Sequence, residues 1–252
     1  MLNNTIQYQI HFWNSFAKES FATENSFVFT TGIKNSLVNL VILKKQNLQA
    51  LASILPKTQD FFDRHKVPWG INIIDDSSAK ELLPFLENRK FKKICTQFEM
   101  QTELDTLPQI STLAPNIKEV INADMLRNWT MPVASGFEST PEDTELYYKL
   151  TKAAFSKKSN PLMHFVLYED TIPVSSATLS IYDKVARLDN VATVKELQGQ
   201  GHGKKIIEYC IDKARKLGSK YMVFESSEQG ISLYRKMGFA ETAMSYIYSL
   251  SK

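Results

Sequence analysis

Three glycines stand at alternate positions in VATVKELQGQGHGKK, Val191 to Lys205: Gly199, Gly201 and Gly203, between an apolar run and the pair Lys204 and Lys205. Glycine in such density costs conformational entropy and is kept for close backbone approach or for positive φ. A strand before the loop and a helix after it would bring free N–H groups and the positive end of the helix dipole to one spot. That is an anion site, suited to a phosphate. Two nucleotide patterns fail on spacing. The dinucleotide fingerprint G-x-G-x-x-G needs glycine where Lys204 stands, and the P-loop needs glycine at 198 and Ser or Thr at 205.

The elements that must hold this loop are legible around it. MHFVLYEDTIPVSSATLSIYDKVARLDNVATV offers three strands, Met163 to Tyr168, Val174 to Tyr182 and Val185 to Val194, turning at Glu169 with Asp170 and at Asp183 with Lys184. Antiparallel pairing follows. After the glycines, Ile206, Ile207, Cys210, Ile211, Ala214 and Leu217 recur at helical spacing, with Gly218 placed as a C-cap. YMVFE reads as a buried strand, EQGISLYRKMGF as a second helix ended by Gly238, and ETAMSYIYSL as a closing strand.

The first half reads as mixed α and β. TIQYQIHFWNSFAKES suits a helix with Ile6, Ile10, Trp13 and Ala17 on one face. SFVFT, LVNLVIL, WGINIID and FKKICTQFEM read as strands. SAKELLPFLENR reads as a helix, and NLQALASILPKTQDFFDRH as helical spacing that Pro56 splits in two. Pro108, Pro115 and Pro132 mark turns between the halves and place a boundary near residue 128, giving 1–128 and 129–252 as domains.

Composition limits the classes. A chain of 252 residues, 43% hydrophobic and 23% charged, is long enough for one large or two ordinary domains. The net charge of +3 comes from scattered basic residues, which argues against nucleic acid as partner. Cys95 and Cys210 are far apart and flanked by apolar residues, so neither a disulfide framework nor a metal site is expected. The opening residues lack a signal-peptide pattern, and no apolar run approaches the roughly 18 residues of a membrane span. The expectation is a cytoplasmic protein with no membrane partner.

What the loop does fit is Q/R-x-x-G-x-G/A, as Gln198, Gly201 and Gly203. Here the sequence resembles the GNAT acyltransferase superfamily, whose loop after the fourth strand holds the pyrophosphate of coenzyme A. About 30 residues on, SEQGISLYRKMGF resembles the second signature of that family, with Tyr234, Gly238 and Phe239 matching. Ser227 and Gly230 stand where the commoner version has asparagine and alanine, which weakens one cofactor contact. The resemblance covers about 120 residues from Met131, read as the start of a strand, to the end. It implies an α+β GNAT fold, a mixed and mostly antiparallel central sheet flanked by helices, with a second N-terminal α/β domain.

The resemblance also implies roles. Val194 would contact pantetheine; Gln198, Gly199, Gly201, His202, Gly203 and Lys204 would line the pyrophosphate, and Ser227 would add a cofactor contact. Acetyl-CoA would be the cosubstrate, with no metal. An amine would attack the thioester, a backbone N–H near Val194 would polarise the carbonyl, and Tyr234 would protonate the leaving thiolate, its phenol having a reference pKa of about 10. Tyr234 beside Leu233 and Met237 also has a packing reading, with the catalytic one preferred. Glu225, at the end of the fifth strand, is the preferred base and Asp189 the second choice; either also reads as a solvated or substrate-recognising charge. His202 would supply mainly its backbone amide, His164 suits a core or cleft position, and Lys204 or Lys205 could assist phosphate. The acceptor amine stays unnamed, and a CoA-binding module without turnover is the alternative. With just Gly32 and Gly70, the first half cannot hold a second such loop. Its strand and helix order resembles the degenerate N-terminal half of tandem GNAT proteins; an unrelated α/β extension is the other reading.

Overall fold

The computed structural model describes residues 5–110 and 115–250; residues 111–114, inside the proline-marked stretch, lie outside the described residues. In chain order the first elements are α1 (Ile6–Phe16), β1 (Glu19–Ala22), β2 (Ser26–Thr30), β3 (Asn39–Leu43), α2 (Leu48–His65), β4 (Gly70–Ile74), α3 (Ala79–Glu87), β5 (Phe91–Glu103) and β6 (Ile117–Glu119). Then come α4 (Ala123–Gly136), α5 (Pro141–Phe155), β7 (Leu162–Glu169), β8 (Ile172–Tyr182), β9 (Val185–Thr193), α6 (His202–Lys216), β10 (Tyr221–Ser226), α7 (Ile231–Lys236) and β11 (Ala240–Leu250).

Two compact units share the chain. The N-terminal unit holds the described residues up to Met100 together with Glu225–Arg235 and those from Ala240 on. The C-terminal unit holds Gln101–Phe224 and Lys236–Phe239. Residue 128 lies inside α4.

In the N-terminal unit the strands run β1-β2-β3-β4-β11-β5. β3 and β4 are parallel, as a helical crossover through α2 requires, while β4 and β11 are antiparallel. One face of this sheet meets α1 through Ile6, Ile10 and Trp13, packed with Ala17 on Phe27, Phe29, Leu40, Ile42 and Ile247, the stripe expected from spacing. A second core joins Leu51, Ile54 and Phe62 of α2 and Leu82 and Leu86 of α3 to Val41, Ile71 and Ile73.

Two expectations about proline are corrected here. Pro56 does not split its helix, because α2 runs unbroken for 18 residues. Pro132 marks no turn, and Met131 starts no strand; both lie within α4, whose first turn is closed by Asn122 Oδ1 accepting from the Met125 N–H at 2.9 Å. An interior proline costs about 3 kcal/mol, but each large apolar side chain buried returns about 1.5–3 kcal/mol. Leu126, Trp129 and Val133 on α4, and Leu51, Ile54, Phe61 and Phe62 on α2, are all buried and outweigh it.

In the C-terminal unit the strand order is β10-β9-β8-β7-β6, antiparallel except for the parallel pair β10 and β9. The expected hairpins form. Asp183 and Lys184 both take positive φ, 48° and 60°, the geometry of a two-residue type I′ turn reached without glycine. α4 and α5 cover the sheet through a core of Leu126, Trp129, Val133, Tyr148 and Val166. α5, which the sequence reading leaves unassigned, starts on Thr140, whose Oγ1 accepts from the Asp143 N–H at 3.1 Å, with Pro141 at the first helical position.

Candidate active site

β9 carries the chain into the glycine loop and is itself distorted. Ser176 pairs with Ala192 and Thr178 with Asp189, so Asn190 and Val191 together oppose Ala177 in a β-bulge, with Asn190 at φ 52°. Side chains hold the bulge. Asn190 Oδ1 accepts from the Tyr147 hydroxyl at 2.9 Å, and Asn190 Nδ2 donates to Thr178 Oγ1 at 3.2 Å. Thr178 Oγ1 lies 2.9 Å from His164 Nδ1. Burial lowers the His164 pKa to about 3 and pushes the Tyr147 phenol up against the pull of its bond to Asn190.

The parallel pairing of β10 with β9 runs from Tyr221 opposite Val185 to Val223 opposite Arg187. β9 continues to Thr193 on the β8 side alone among the described pairs. The Val194 N–H donates to the Val174 carbonyl at 3.0 Å, so Val194 offers no free amide. Strand alternation turns the Thr193 N–H to the opposite edge.

The loop then tightens. A short 3₁₀ turn, Lys195–Leu197, is tied down by the Lys195 N–H on Ser135 Oγ at 3.0 Å and by an ion pair of Lys195 with Glu138. Gln198 Nε2 donates back to the Thr193 carbonyl at 3.3 Å. Gly199 and Gly201 take φ 78° and 87°, and a Cβ added to either would meet nothing within 4 Å. Their necessity is therefore conformational, since the left-handed region penalises a side chain even where space is open. α6 begins at His202 with Gly201 as N-cap and no side-chain cap; the first bond back is from the Lys205 N–H to the Gly201 carbonyl at 3.1 Å. The amides of His202, Gly203 and Lys204 thus stand at the first turn of a 15-residue helix without a capping oxygen. Uncapped amides beside two left-handed glycines make a concavity suited to a diphosphate.

His202 is 2% exposed, its ring turned inward with Nε2 3.3 Å from Glu169 Oε1, so the loop is offered its amide rather than its imidazole. Lys204 Nζ sits 3.7 Å from Glu208 Oε1 on the outer face of the helix. Asp189 is bound to Arg187 Nη2 at 2.8 Å with both side chains nearly buried. A carboxylate so paired is oriented by its partner, which suits positioning better than proton removal.

The remaining candidates gather in the N-terminal unit. Glu225 is half-buried on β10. Ser227 Oγ and its carbonyl both accept from the Gly230 N–H, at 3.3 and 3.1 Å, and close the turn into α7. Tyr234 is 8% exposed on α7. A Cβ on Gly230 would sit 3.2 Å from both the Tyr234 ring and Ser226 Oγ, so glycine there lets the phenol lie close to the turn. No group of three or more His, Cys, Asp or Glu arranged to hold a metal occurs among the described residues. The same residues contain no helix long and apolar enough to cross a membrane.

Residues 123–239, which include the bulged strand, the glycine loop and the Tyr234 turn, match the family model described as acetyltransferase (GNAT) family. This stretch is a GNAT acetyltransferase domain. Solved structures agree on fold across nearly the whole chain. A GCN5-related N-acetyltransferase from Kribbella flavida superposes with a TM-score of 0.72 at 12% identity, covering 98% of this chain and 94% of its own. One from Sphaerobacter thermophilus gives 0.63 at 12% identity over 98% and 85%. A tandem GNAT protein from the clavulanic acid biosynthesis pathway gives 0.58 at 9% identity over 89% and 78%, consistent with a GNAT-like N-terminal domain here. No curated protein matches the sequence.

Proposed function

We propose that the chain is an N-acetyltransferase that moves the acetyl group of acetyl-CoA onto a primary amine of a small molecule or protein, by direct attack in a ternary complex. The observation that carries this reading is the uncapped start of α6 behind Gly199 and Gly201. Gly199, Gly201, His202, Gly203 and Lys204 would hold the pyrophosphate through main-chain amides, with Gln198 bracing the loop and Val194 and Ser227 adjoining the cofactor. The proposed donor and acid–base residues all lie in 129–252, the catalytic part; 1–128 is the GNAT-like partner domain, and the cytoplasm is the proposed location.

Acetyl-CoA supplies an activated acyl group. The amine lone pair forms the C–N bond as the C–S pair moves onto sulfur, and the thiolate takes a proton from Tyr234. The Thr193 N–H, at the open edge of β9, suits the developing oxyanion. Glu225 is the proposed base.

Thiol release from acetyl-CoA in the presence of an amine panel tests the reading. Amine-dependent release that falls in Tyr234→Phe with CoA affinity retained supports it. Tight CoA binding with no release on the panel would instead mark a CoA-binding module.

A further inference from the structure

Amides along a strand face alternate edges, so one extra residue exchanges the edges for every amide beyond it. In β9 the extra residue sits between Asp189, opposite Thr178, and Ala192, opposite Ser176. Past it the Val194 N–H meets the Val174 carbonyl of β8 at 3.0 Å. Alternation then leaves the Thr193 N–H on the edge away from β8, beyond Arg187 and Val223, the last described pair of β9 with β10. Were β9 regular, the two amides would trade places. The bulge therefore selects which amide is offered at the open edge.

A non-glycine residue needs support there, because Asn190 holds φ 52°. Its side-chain amide is bound at both ends: Oδ1 accepts from the Tyr147 hydroxyl at 2.9 Å, and Nδ2 donates to Thr178 Oγ1 at 3.2 Å. Thr178 belongs to the neighbouring strand, whereas Tyr147 comes from outside the sheet, on α5. Burial pushes its phenol up, so the hydroxyl stays a donor.

α4 braces the same stretch. Trp129 Nε1 donates at 3.1 Å to the carbonyl of Ala177, the residue that faces the bulge. A Cβ on Gly136 would come within 2.9 Å of Ala192 Cβ and 3.3 Å of the Thr193 carbonyl oxygen, so the end of α4 lies against β9 just past the bulge. The Trp129 and Tyr147 rings stack with centroids 6.0 Å apart. All of these groups belong to the C-terminal unit. Tyr147 is the helical group that is bonded to Asn190 itself.

We propose that Tyr147 is a positioning residue for acyl transfer, its hydroxyl locking the Asn190 bulge and so presenting the Thr193 N–H at the open edge of β9. Its use in the reaction rests on the acyltransferase reading; the lock does not. Tyr147 acts through Asn190 and supplies no proton.

Tyr147→Phe keeps the ring on Trp129 and removes the hydroxyl. In steady-state kinetics of amine-dependent thiol release, kcat should fall by ~tenfold or more, with KM for acetyl-CoA and CoA affinity unchanged. Amide hydrogen exchange followed by NMR should show the Val194 N–H exchanging ~tenfold faster, since its bond to Val174 depends on the bulge. Asn190→Ala should reproduce both effects, and adding Tyr147→Phe to it should cost nothing further. If Tyr147→Phe does not fold, Asn190→Ala, which leaves the phenol and takes away its partner, is read in its place. Unchanged kcat, unchanged Val194 exchange, or additive losses in the double variant would overturn the proposal. Faster Val194 exchange in a protein that releases no thiol with any amine would uphold the lock and remove the acyltransferase reading.

Discussion

The chain contains two crossovers of the same design, β3–α2–β4 and β9–α6–β10, each a strand, a loop, a helix and a parallel strand. They differ at the start of the helix. In the first, Asn47 Oδ1 accepts from the Ala50 N–H at 2.7 Å, and the loop amides of Lys44 and Lys45 both donate to the Asn25 carbonyl, at 2.8 and 3.4 Å. In the second, Gly201 occupies the N-cap at φ 87° and no side chain caps the helix. One crossover caps its helix with its own side chain, and the other leaves the first-turn amides without a capping side chain. The difference favours the second crossover for the proposed donor site, by the accounting of backbone N–H groups.

The largest expected effect separates holding the donor from using it. Tyr234→Phe should lower amine-dependent thiol release by ~100-fold, the scale of a lost general acid, with CoA affinity unchanged by calorimetry. Comparable turnover would confine the role of Tyr234 to packing.

Acid sharpens the contrast on the side of the open crossover, where His164 braces the bulge of β9. Its folded pKa, about 3, lies below its unfolded value of 6.5, so the unfolded chain binds the extra proton first. The stabilising contribution of neutral His164 is whole above pH 6.5 and declines as pH falls toward 3, by ~2 kcal/mol at pH 5. Urea midpoints between pH 7 and 5 should fall less in His164→Phe than in wild type.

Gly201→Val should weaken CoA by ~tenfold or more through the roughly 1–2 kcal/mol cost of a left-handed β-branched residue, with far-UV circular dichroism unchanged. The smallest effect belongs to the closed crossover. Asn47→Ala should cost about 1 kcal/mol in denaturant unfolding and leave CoA binding untouched.

Much of the glycine loop was legible because it rests on local rules. Gly199 and Gly201 mark left-handed positions, and the turns at Asp170 and Asp183 with Lys184 fall where the charged pairs predict. Resemblance added what spacing alone could not, the step from an anion site to coenzyme A. The prolines misled, since Pro56 and Pro132 read as breakers while the burial of whole helix faces overrode them. Nor did any local pattern reveal that β11 lies between β4 and β5; the order of distant strands is set by tertiary pairing. Asp189 reads as an available strand charge, whereas its bond to Arg187 depends on the burial of both side chains, which no local pattern encodes.

Titration of CoA into the intact chain tests the contrast between the crossovers most directly. One site per chain is expected, weakened in Gly201→Val and retained in Asn47→Ala. Two equivalent sites per chain, or a single site indifferent to Gly201→Val, would contradict it.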